Sequence, residues 1–269
     1  MALQVRNAEL VDLLAADLQK RYEPQFAWKS ASSQHQMLHG LRGFWPTSSF
    51  DTNGDLIDLS GQGNDLTYNG NPLYRRDMLA PSVALDGTGD YFSHVGGVGS
   101  WCDITGGETY VNANRRGLTI GGWFLFANAA GAAEYMISKW DIGGNERSYS
   151  LRRLNTGVIR FSVSDDGTNV DDVDTTGTPA QNEWFWACGR YDDATAEIDV
   201  WYNTETANLA LPAWGGTLRS NATDFMIGAR HGGLDLMTGR FSQCFTCAAS
   251  VPDDIIGQTF QQTRAMFGV

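Results

Sequence analysis

Apolar residues recur at every second position in several segments of the chain, and the segment from Gly117 to Gly167 shows this pattern most clearly. Its first strand is apolar on both sides, because residues of both alternating sets are large and hydrophobic. The two sets are Leu118, Ile120, Phe124 and Phe126 on one side, and Thr119, Trp123 and Leu125 on the other. Such a strand is predicted to lie at the centre of a sheet.

Two strands that are apolar on one side only follow this central strand. The pattern predicts them at Ser148–Arg153 and Val158–Val163. Their inward residues are predicted to be Tyr149, Leu151, Ile159, Phe161 and Val163. Asn155-Thr156-Gly157 separates the two strands and Asp166-Gly167 follows the second. Because Asn and Gly accept positive φ, both segments are typical of hairpin turns, and the region is predicted to be an antiparallel meander.

Composition and charge place the chain in the all-β class. Among 269 residues, 31 are Gly and 12% are aromatic, which together with many short strands favours a sandwich. Asp and Glu outnumber Lys and Arg by 31 to 19, a net charge of -12, and this charge repels phosphate backbones and anionic lipid. The sequence has no run of about 18 apolar residues and no N-terminal leader pattern. We expect no nucleic-acid partner, no membrane partner and no signal peptide.

The four cysteines are too few for a disulfide framework in a chain of this length. They are Cys102, Cys188, Cys244 and Cys247. The last two form a CxxC motif, but along a strand their side chains point to opposite faces, which argues against joint metal ligation. We predict buried free thiols.

Residues 1–43 differ in character from the rest of the chain and are predicted to form a separate arm. Asn7 can cap a helix of about 15 residues with one apolar stripe, which ends before Pro24. The residues predicted to anchor the arm are Leu10, Leu13, Leu14, Leu18, Phe26 and Trp28. Two interpretations stay open: the helix packs on its own sandwich, or it docks on a partner subunit in a homo-oligomer or a larger assembly.

Several motifs recur in the order that a known fold family shows. They are Asp58–Leu66, Leu85–Tyr91, Leu118–Phe124, Ile137–Lys139, Tyr149–Arg152, Trp184–Trp186 and Gly239–Phe241. Together they resemble the concanavalin A-like, laminin G-like jelly roll, and the resemblance covers about residues 44–269. It implies an all-β, antiparallel two-sheet jelly-roll sandwich that follows the N-terminal helical arm.

Three segments add to this fold or depart from the family pattern. The final strand, which includes Phe241–Phe245, lacks the family's usual Asp and its basic or aromatic pair. The segment Val95–Arg116 is longer than a hairpin needs, and it suggests a rim loop or a subunit contact. In Ser250–Ile256 a capping residue, an early Pro and two acidic residues predict a short C-terminal helix.

The same jelly roll hosts glycosidases, but their catalytic motif is incomplete in this chain. Those enzymes carry three carboxylates at alternating positions of one strand, as nucleophile, helper and acid. This chain offers Glu197-Ile198-Asp199-Val200, and Trp201 or Tyr202 stands where the third acid belongs. We therefore predict no catalytic residues and no enzyme. The segment is instead predicted to be a half-buried strand with Ile198, Val200 and Tyr202 inward and both acids in solvent.

Loop carboxylates and amides supply a candidate calcium site. Domains similar to this family often hold a structural Ca²⁺ on the rim, and Ca²⁺ takes hard oxygen ligands. The candidate ligands are Asp58, Asn64 and Asp90. Asp and Asn are also ordinary turn residues, so a purely structural role stays open.

Aromatic residues near predicted loops are the candidates for sugar binding, which needs exposed rings beside amide or carboxylate groups. The candidates are Trp101, Trp140, Asp141 and Trp214. Aromatic residues of a sandwich more often belong to its core, and that alternative stays open. Asn221-Ala222-Thr223 is a glycosylation sequon that matters only in a secreted chain.

Two functions from different classes remain. A laminin G-like head on an N-terminal arm, without a leader, suggests a bacteriophage virion component, either a capsid decoration or a tail part. It predicts a non-enzymatic structural or adhesion protein, assembled in the host cytoplasm and exposed after lysis. Its partners are then other virion subunits, bound through residues 1–43, and cell-surface glycans. The alternative is a free extracellular carbohydrate-binding module or weak glycosidase.

Overall fold

The chain folds as two antiparallel sheets with one short C-terminal helix, which confirms the predicted fold class. The computed structural model describes residues 40–76, 80–106, 116–211 and 217–269. The strands are β1 Leu41–Trp45, β2 Thr67–Asn69, β3 Leu73–Arg75, β4 Ser82–Asp86, β5 Tyr91–His94, β6 Gly117–Phe126, β7 Glu134–Asp141, β8 Glu146–Arg153, β9 Ile159–Val163, β10 Asp171–Asp174, β11 Trp184–Asp192, β12 Glu197–Tyr202, β13 Glu205–Ala210, β14 Phe225–Ile227 and β15 Thr238–Cys247. Helix α1 spans Asp253–Thr263, and a 3₁₀ turn at Arg264–Met266 follows it.

The predicted arm falls almost entirely outside the described residues. All six of its predicted anchor residues precede residue 40, where the described part of the chain begins. Strand β1 runs from Leu41 to Trp45 and so crosses the predicted domain boundary after residue 43. Within the described ranges, no helix has the length and apolar character that a membrane span requires.

The eight-stranded sheet has β6 at its centre, as the two-sided apolar pattern predicted. Its order is β13-β12-β11-β6-β15-β4-β3, and β1 also pairs with β15. Strand β15 pairs with β4 through its first half and with β1 through its second half. Ser242 pairs with Trp123 and Phe245 pairs with Gly121, so one extra residue bulges out of β15. Gln243 takes a φ of 51° there.

The seven-stranded sheet contains the predicted meander. Its order is β10-β9-β8-β7-β14-β5-β2, so β7 to β10 are consecutive neighbours. The hairpin between β8 and β9 closes through Leu154 N–H to Val158 O at 2.9 Å. Gly157 in that hairpin has a φ of 95°, which a residue with a Cβ rarely adopts. The turn chemistry read from the sequence is therefore the chemistry of the observed hairpin.

The main core lies between the two sheets and contains the predicted inward residues of β6, β8 and β9. Close sheet contact depends on Gly189 of β11, because a Cβ at this position would lie 2.2 Å from Cδ2 of Phe161. The two cysteines of the CxxC motif lie on opposite faces, since Cys244 belongs to the main core and Cys247 to the cluster outside the eight-stranded sheet. All four cysteines are free and buried, as predicted.

Helix α1 covers the outer face of the eight-stranded sheet. Trp123 of β6 stacks on Phe267 with ring centroids 4.3 Å apart, and its Nε1 donates to Thr263 Oγ1 at 3.0 Å. The predicted cap is wrong, because Pro252 is the N-cap residue and no side chain caps the helix. Ser250 Oγ instead donates to Asp192 Oδ2 at 2.6 Å. The second face of β6 is thus buried by the chain's own C-terminus.

The prediction that both acids of β12 face solvent is wrong for Asp199. This residue is 5% exposed, and its Oδ2 lies 2.7 Å from Nη2 of Arg190 on β11. Burial raises the pKa of the Asp199 carboxyl, and the Arg190 charge opposes that shift. Ile198 and Val200 belong to the main core, and Tyr202 packs against it, as predicted.

Candidate functional site

The outer face of the seven-stranded sheet is polar where β7 to β10 lie side by side. Along β8, Tyr149 and Leu151 enter the main core, so the residues between and beside them point outward. Strand pairing places Ser138, Ser150, Ser162 and Asp172 in one row across four strands. Tyr135, Arg152, Arg160 and Asp174 form the next row. We call the following set the polar face: Tyr135, Ser138, Trp140, Ser148, Ser150, Arg152, Arg160, Ser162, Asp172 and Asp174.

Arg160 ties two carboxylates of β10 to this face. Its Nε lies 2.6 Å from Asp174 Oδ1 and its Nη1 lies 2.6 Å from Asp172 Oδ2. The Asp174 side-chain hydrogen bond is the main cause of the raised pKa of Arg160. Ser162 Oγ donates to Asp172 Oδ1 at 2.5 Å. Both carboxylates are therefore engaged by donors of the chain itself.

Arg152 lies across the polar face between two aromatic rings. Its guanidinium carbon is 5.2 Å from the ring centroid of Tyr135 and 5.5 Å from that of Trp140, and its Nη1 donates to Tyr135 Oη. Burial raises the pKa of Tyr135, while the Arg152 charge opposes this. The register pairs Arg152 with Tyr135, and its contact with Trp140 brings the guanidinium towards Ser138, which lies between the two aromatic residues on β7. Trp140 beneath it is only 1% exposed.

Among the residues that the structure describes, four buried polar atoms of this face have no hydrogen-bond partner. They are Ser148 Oγ, Ser150 Oγ, Trp140 Nε1 and Arg152 Nε. Both serines are fully buried. A buried polar group without a partner costs about 1–3 kcal/mol, so a cluster of them on two adjacent strands needs an explanation. The indole and guanidinium atoms can only donate, whereas the hydroxyls both donate and accept. The polar face can therefore satisfy a ligand rich in acceptor atoms.

The three predicted sugar-binding residues that the structure describes lie in different surroundings. Trp140 lies in the polar face, buried beneath Arg152. Asp141 accepts from the N–H groups of Gly143 and Gly144 in the turn after β7. Trp101 packs against the main core, 5.8 Å from Trp45 and 5.1 Å from Phe225 between ring centroids. Trp214 lies outside the described residues.

The serine and arginine members of the polar face were missed as site residues by sequence reasoning. Alternation along β8 does place Ser148, Ser150 and Arg152 opposite Tyr149 and Leu151, so their outward direction could have been read. That signal alone does not show that the hydroxyls are buried and unpartnered.

The predicted calcium ligands are held by hydrogen bonds within the protein. Asp58 Oδ1 accepts from the N–H groups of Phe44 and Ser60, and its Oδ2 accepts from Ser60 Oγ and from the Asn64 N–H. Asp90 lies elsewhere and accepts from the N–H groups of Asn71 and Asp86. The described ranges contain no group of three or more His, Cys, Asp or Glu side chains that could hold a metal ion. Calcium at Asp58, Asn64 and Asp90 stays a prediction.

A buried lysine donates hydrogen bonds to the two outer residues of the glycosylation sequon. Lys139 Nζ donates to Asn221 O, Asn221 Oδ1 and Thr223 O at 2.7–2.8 Å, and it lies 3.9 Å from Asp103 Oδ1. Burial lowers the pKa of Lys139, and the nearby Asp103 charge opposes this. Asn221 is only 2% exposed, and its Nδ2 donates to Glu146 O. The Asn221 amide of the sequon is therefore not accessible in the folded chain. The contact of Asp103 with Lys139 also joins the long segment after Val95 to the sandwich.

Comparison with known proteins gives similarity in fold. No family model matches the chain, and no curated protein matches its sequence. The binding domain of Paraclostridial Mosquitocidal Protein 1 superposes with a TM-score of 0.64 at 11% identity, covering 84% of this chain and 52% of that chain. The botulinum neurotoxin serotype D ligand-binding domain in complex with N-acetylneuraminic acid gives 0.60 at 11% identity, covering 84% and 51%.

A third similar structure is the binding domain of botulinum neurotoxin DC in complex with rat synaptotagmin II. Its TM-score is 0.61 at 10% identity, covering 84% of this chain and 52% of that chain. At these identities the likeness shows a shared sandwich fold and no more. The present chain spans about half the length of these structures, which are binding domains and not catalytic ones.

Proposed function

We propose that the chain is a non-enzymatic binding domain with a laminin G-like sandwich, and that it binds a glycan through its polar face. The observation that carries this proposal is the cluster of four buried, unpartnered polar atoms on β7 and β8. Fold neighbours that are binding domains, one bound to N-acetylneuraminic acid and another to synaptotagmin II, support this class of function.

The chemistry of the polar face favours an acidic sugar. Trp140 Nε1 and Arg152 Nε need acceptors, and a sugar carboxylate accepts charge-assisted bonds from a guanidinium. The nearest carboxylate oxygen to Arg152 belongs to Asp172 and lies 3.8 Å away, so its charge is only partly neutralised. Ser148 and Ser150 can then bond the sugar hydroxyls. Both serines are fully buried, so in this proposal the ligand enters when the Arg152 side chain swings away from Trp140.

The carboxylates of the chain support a role without catalysis. Asp172 and Asp174 are both bound to Arg160, and Asp199 is bound to Arg190 on the opposite sheet. Glycoside hydrolysis by two carboxylates needs one that is free to donate a proton and a second across the scissile bond. Acids held by arginines in separate places do not supply that pair.

We further propose that the domain belongs to a bacteriophage virion, as a capsid decoration or a tail component. In this proposal residues 1–43 bind other virion subunits, as a homo-oligomer or within the shell, and the sandwich carries the glycan-binding surface. The chain is assembled in the host cytoplasm and exposed after lysis. This part rests on the character of the arm and on the laminin G-like motifs of the sequence.

Binding is tested by titration calorimetry with 3′-sialyllactose on the full chain. The double variant Ser148→Ala/Ser150→Ala loses two hydroxyls, each worth about 1 kcal/mol, so its affinity should fall about 30-fold. Ser82→Ala is the matched control, because this hydroxyl of β4 is also buried and has no partner within the described ranges, but lies on the other sheet. Equal affinity of the double variant and the wild type, or no binding of the acidic sugar by either, contradicts the proposed site.

The virion role is tested by quantitative peptide mass spectrometry on particles purified from the source culture. Copies of this chain are counted against the most abundant shell protein. Many copies per particle support a capsid decoration, and a few support a tail component. Recovery of the chain only in the soluble fraction contradicts the virion role and favours a free carbohydrate-binding module.

A further inference from the structure

A shallow depression lies beside the segment that connects β2 of the seven-stranded sheet to β3 of the eight-stranded sheet. It has a volume of about 280 Å³. Its lining residues are Asn53, Gly54, Tyr68, Asn71, Pro72, Leu73 and Tyr74. We call it the Tyr68 depression. Its lining combines two aromatic rings, the aliphatic side chains of Pro72 and Leu73, and two amides.

Two of the apolar side chains in this lining are open to solvent. Tyr68 is 39% exposed and Leu73 is 52% exposed. A Cβ at Gly54 would lie 3.5 Å from Cδ1 and Cε1 of Tyr68, so the tyrosine ring lies beside the Gly54 backbone. The exposed side of this aromatic ring can pack against the apolar C–H face of a sugar ring.

The second tyrosine makes the depression rigid. Tyr74 packs on Phe50 with ring centroids 3.8 Å apart, and its Oη donates to Gly54 O. Burial, followed by the charges of Asp55 and Asp51, raises the pKa of Tyr74 to about 12. The hydroxyl therefore stays protonated and keeps donating to the loop across the physiological pH range.

The amides stand on a loop that is fixed in place. Asp51 Oδ1 accepts from the N–H groups of Asn53, Gly54 and Asp55 at 2.8–2.9 Å. Asn71 N–H donates to Asp90 Oδ1 at 2.7 Å, which holds the backbone on the opposite side. Both Asn53 and Asn71 are exposed. Asn53 Nδ2 donates to Asp51 Oδ2 at 2.9 Å, so the remaining amide N–H and Oδ1 of Asn53, with the Asn71 amide, can bond the hydroxyls of a ligand without prior ordering of the loop.

The charge around the depression selects against anions. Asp51 and Asp55 act on the Tyr74 hydroxyl through their charges, so both carboxylates lie close to the lining. None of the seven lining residues carries a positive charge. A carboxylate or sulfate on the ligand would be repelled here, whereas a neutral ring with hydroxyl groups would not.

We propose that the Tyr68 depression is a binding site for a neutral sugar, in which a pyranose ring stacks on Tyr68 and its hydroxyls bond the amides of Asn53 and Asn71. This site is independent of the polar face, which favours an acidic sugar. A chain with both sites would bind a neutral and an acidic part of one glycan, or one neutral and one acidic glycan.

The test is titration of the full chain with lactose, maltotriose and triacetylchitotriose, each used singly, followed by saturation-transfer NMR. We expect at least one of these sugars to bind wild type and to bind Tyr68→Ala about tenfold more weakly, because the stacking ring is gone. Tyr68→Phe keeps the ring and should bind as wild type does. Leu209→Ala, at an exposed apolar position of the other sheet, is the control for general surface change.

The outcomes separate this proposal from the polar face. Failure of all three neutral sugars to bind, or equal binding by Tyr68→Ala and wild type, overturns the neutral-sugar site whatever 3′-sialyllactose does. Loss of neutral-sugar binding in Ser148→Ala/Ser150→Ala with full binding by Tyr68→Ala places the sugar on the polar face and also overturns it. A melting temperature near that of wild type shows that Tyr68→Ala is folded.

Discussion

Two serines of the polar face share a row and full burial but differ in hydrogen bonding. Ser162 Oγ donates to Asp172, whereas Ser150 Oγ has no partner within the described part of the chain. We expect Ser162→Ala to lower the free energy of unfolding by about 1 kcal/mol, and Ser150→Ala to leave it unchanged or raise it slightly. Urea unfolding of both variants measures this difference. An equal loss in Ser150→Ala would mean that its hydroxyl has a partner within the folded protein.

If the unpartnered hydroxyls form a binding site, their removal should raise the free energy of unfolding of the protein. The same removal should weaken ligand binding. Natural binding sites often show this opposition, because their polar atoms are satisfied only by the ligand. Ser148 and Ser150 therefore offer a signature that a purely structural serine such as Ser162 does not. The signature also distinguishes a binding role from an ordinary polar surface, where removal of a solvated hydroxyl changes neither quantity.

The calcium prediction depends on whether the carboxylate oxygens of a few single residues can bind a cation. All four interactions of the Asp58 carboxylate come from N–H and O–H donors, so calcium would have to share these oxygens. If calcium binds at Asp58, Asn64 or Asp90, EDTA should lower the melting temperature, and added calcium should restore it in proportion to saturation. Mg²⁺ at the same concentration is the control. A melting temperature unaffected by EDTA would show that the calcium prediction is wrong.

Contact between the two sheets depends on a missing side chain in β11. A Cβ at Gly189 would lie 2.2 Å from Phe161 Cδ2 in the main core, so Gly189→Ala should push the sheets apart and lower the free energy of unfolding by about 1–3 kcal/mol. Gly131→Ala is the matched control, because a Cβ there meets no atom within 4 Å. Equal urea midpoints for both variants would show that Phe161 moves aside without loss.

The loop beside the Tyr68 depression should be sensitive to acid. The hydrogen bond from the Asp55 N–H is the largest of the causes that lower the pKa of Asp51. Because the folded-state pKa of Asp51 is lowered, the ionised carboxylate stabilises the loop fully above its unfolded-state pKa of about 3.9. This stabilisation is lost as the pH falls through the folded-state pKa. We expect amide exchange at Gly54 and Asp55 to accelerate below about pH 4 beyond its intrinsic trend. Asp51→Asn should lack that step, and a step that persists in the variant would assign it to another group.

The longer strands could be predicted from the alternation of apolar and polar residues along the sequence. The polar face could not, because its residues come together only through the register between neighbouring strands. Strands β6, β8 and β9 have enough residues to show a period of two, whereas β14 has only three residues. The burial of Asp199 follows from its pairing with Arg190 on β11. The position of Arg152 over Trp140 likewise depends on a register between β7 and β8 that shifts twice. Neither register can be read from one strand alone.

At the scale of the whole molecule, the two outer faces of the sandwich differ. The eight-stranded sheet is covered by α1 and an aromatic cluster, which Leu41 and Phe44 of β1 also join. The seven-stranded sheet carries the polar face on its outer side. Because the described chain enters the fold through β1, attachment through residues 1–43 would begin on the covered side. In the virion proposal, the polar face would then point away from the particle.

The arm prediction tests this arrangement directly. Replacing Leu10, Leu13 and Leu14 by Asp places three charges on the predicted apolar stripe, so assembly should be abolished because charged side chains cannot be buried there without partners. The sandwich should stay folded, with an unchanged melting temperature. Gln19→Asp, on the opposite side of the predicted helix, should assemble as wild type does. Sedimentation of the purified chain and incorporation into particles measure the effect. Normal incorporation of the triple variant would show that the anchor lies elsewhere.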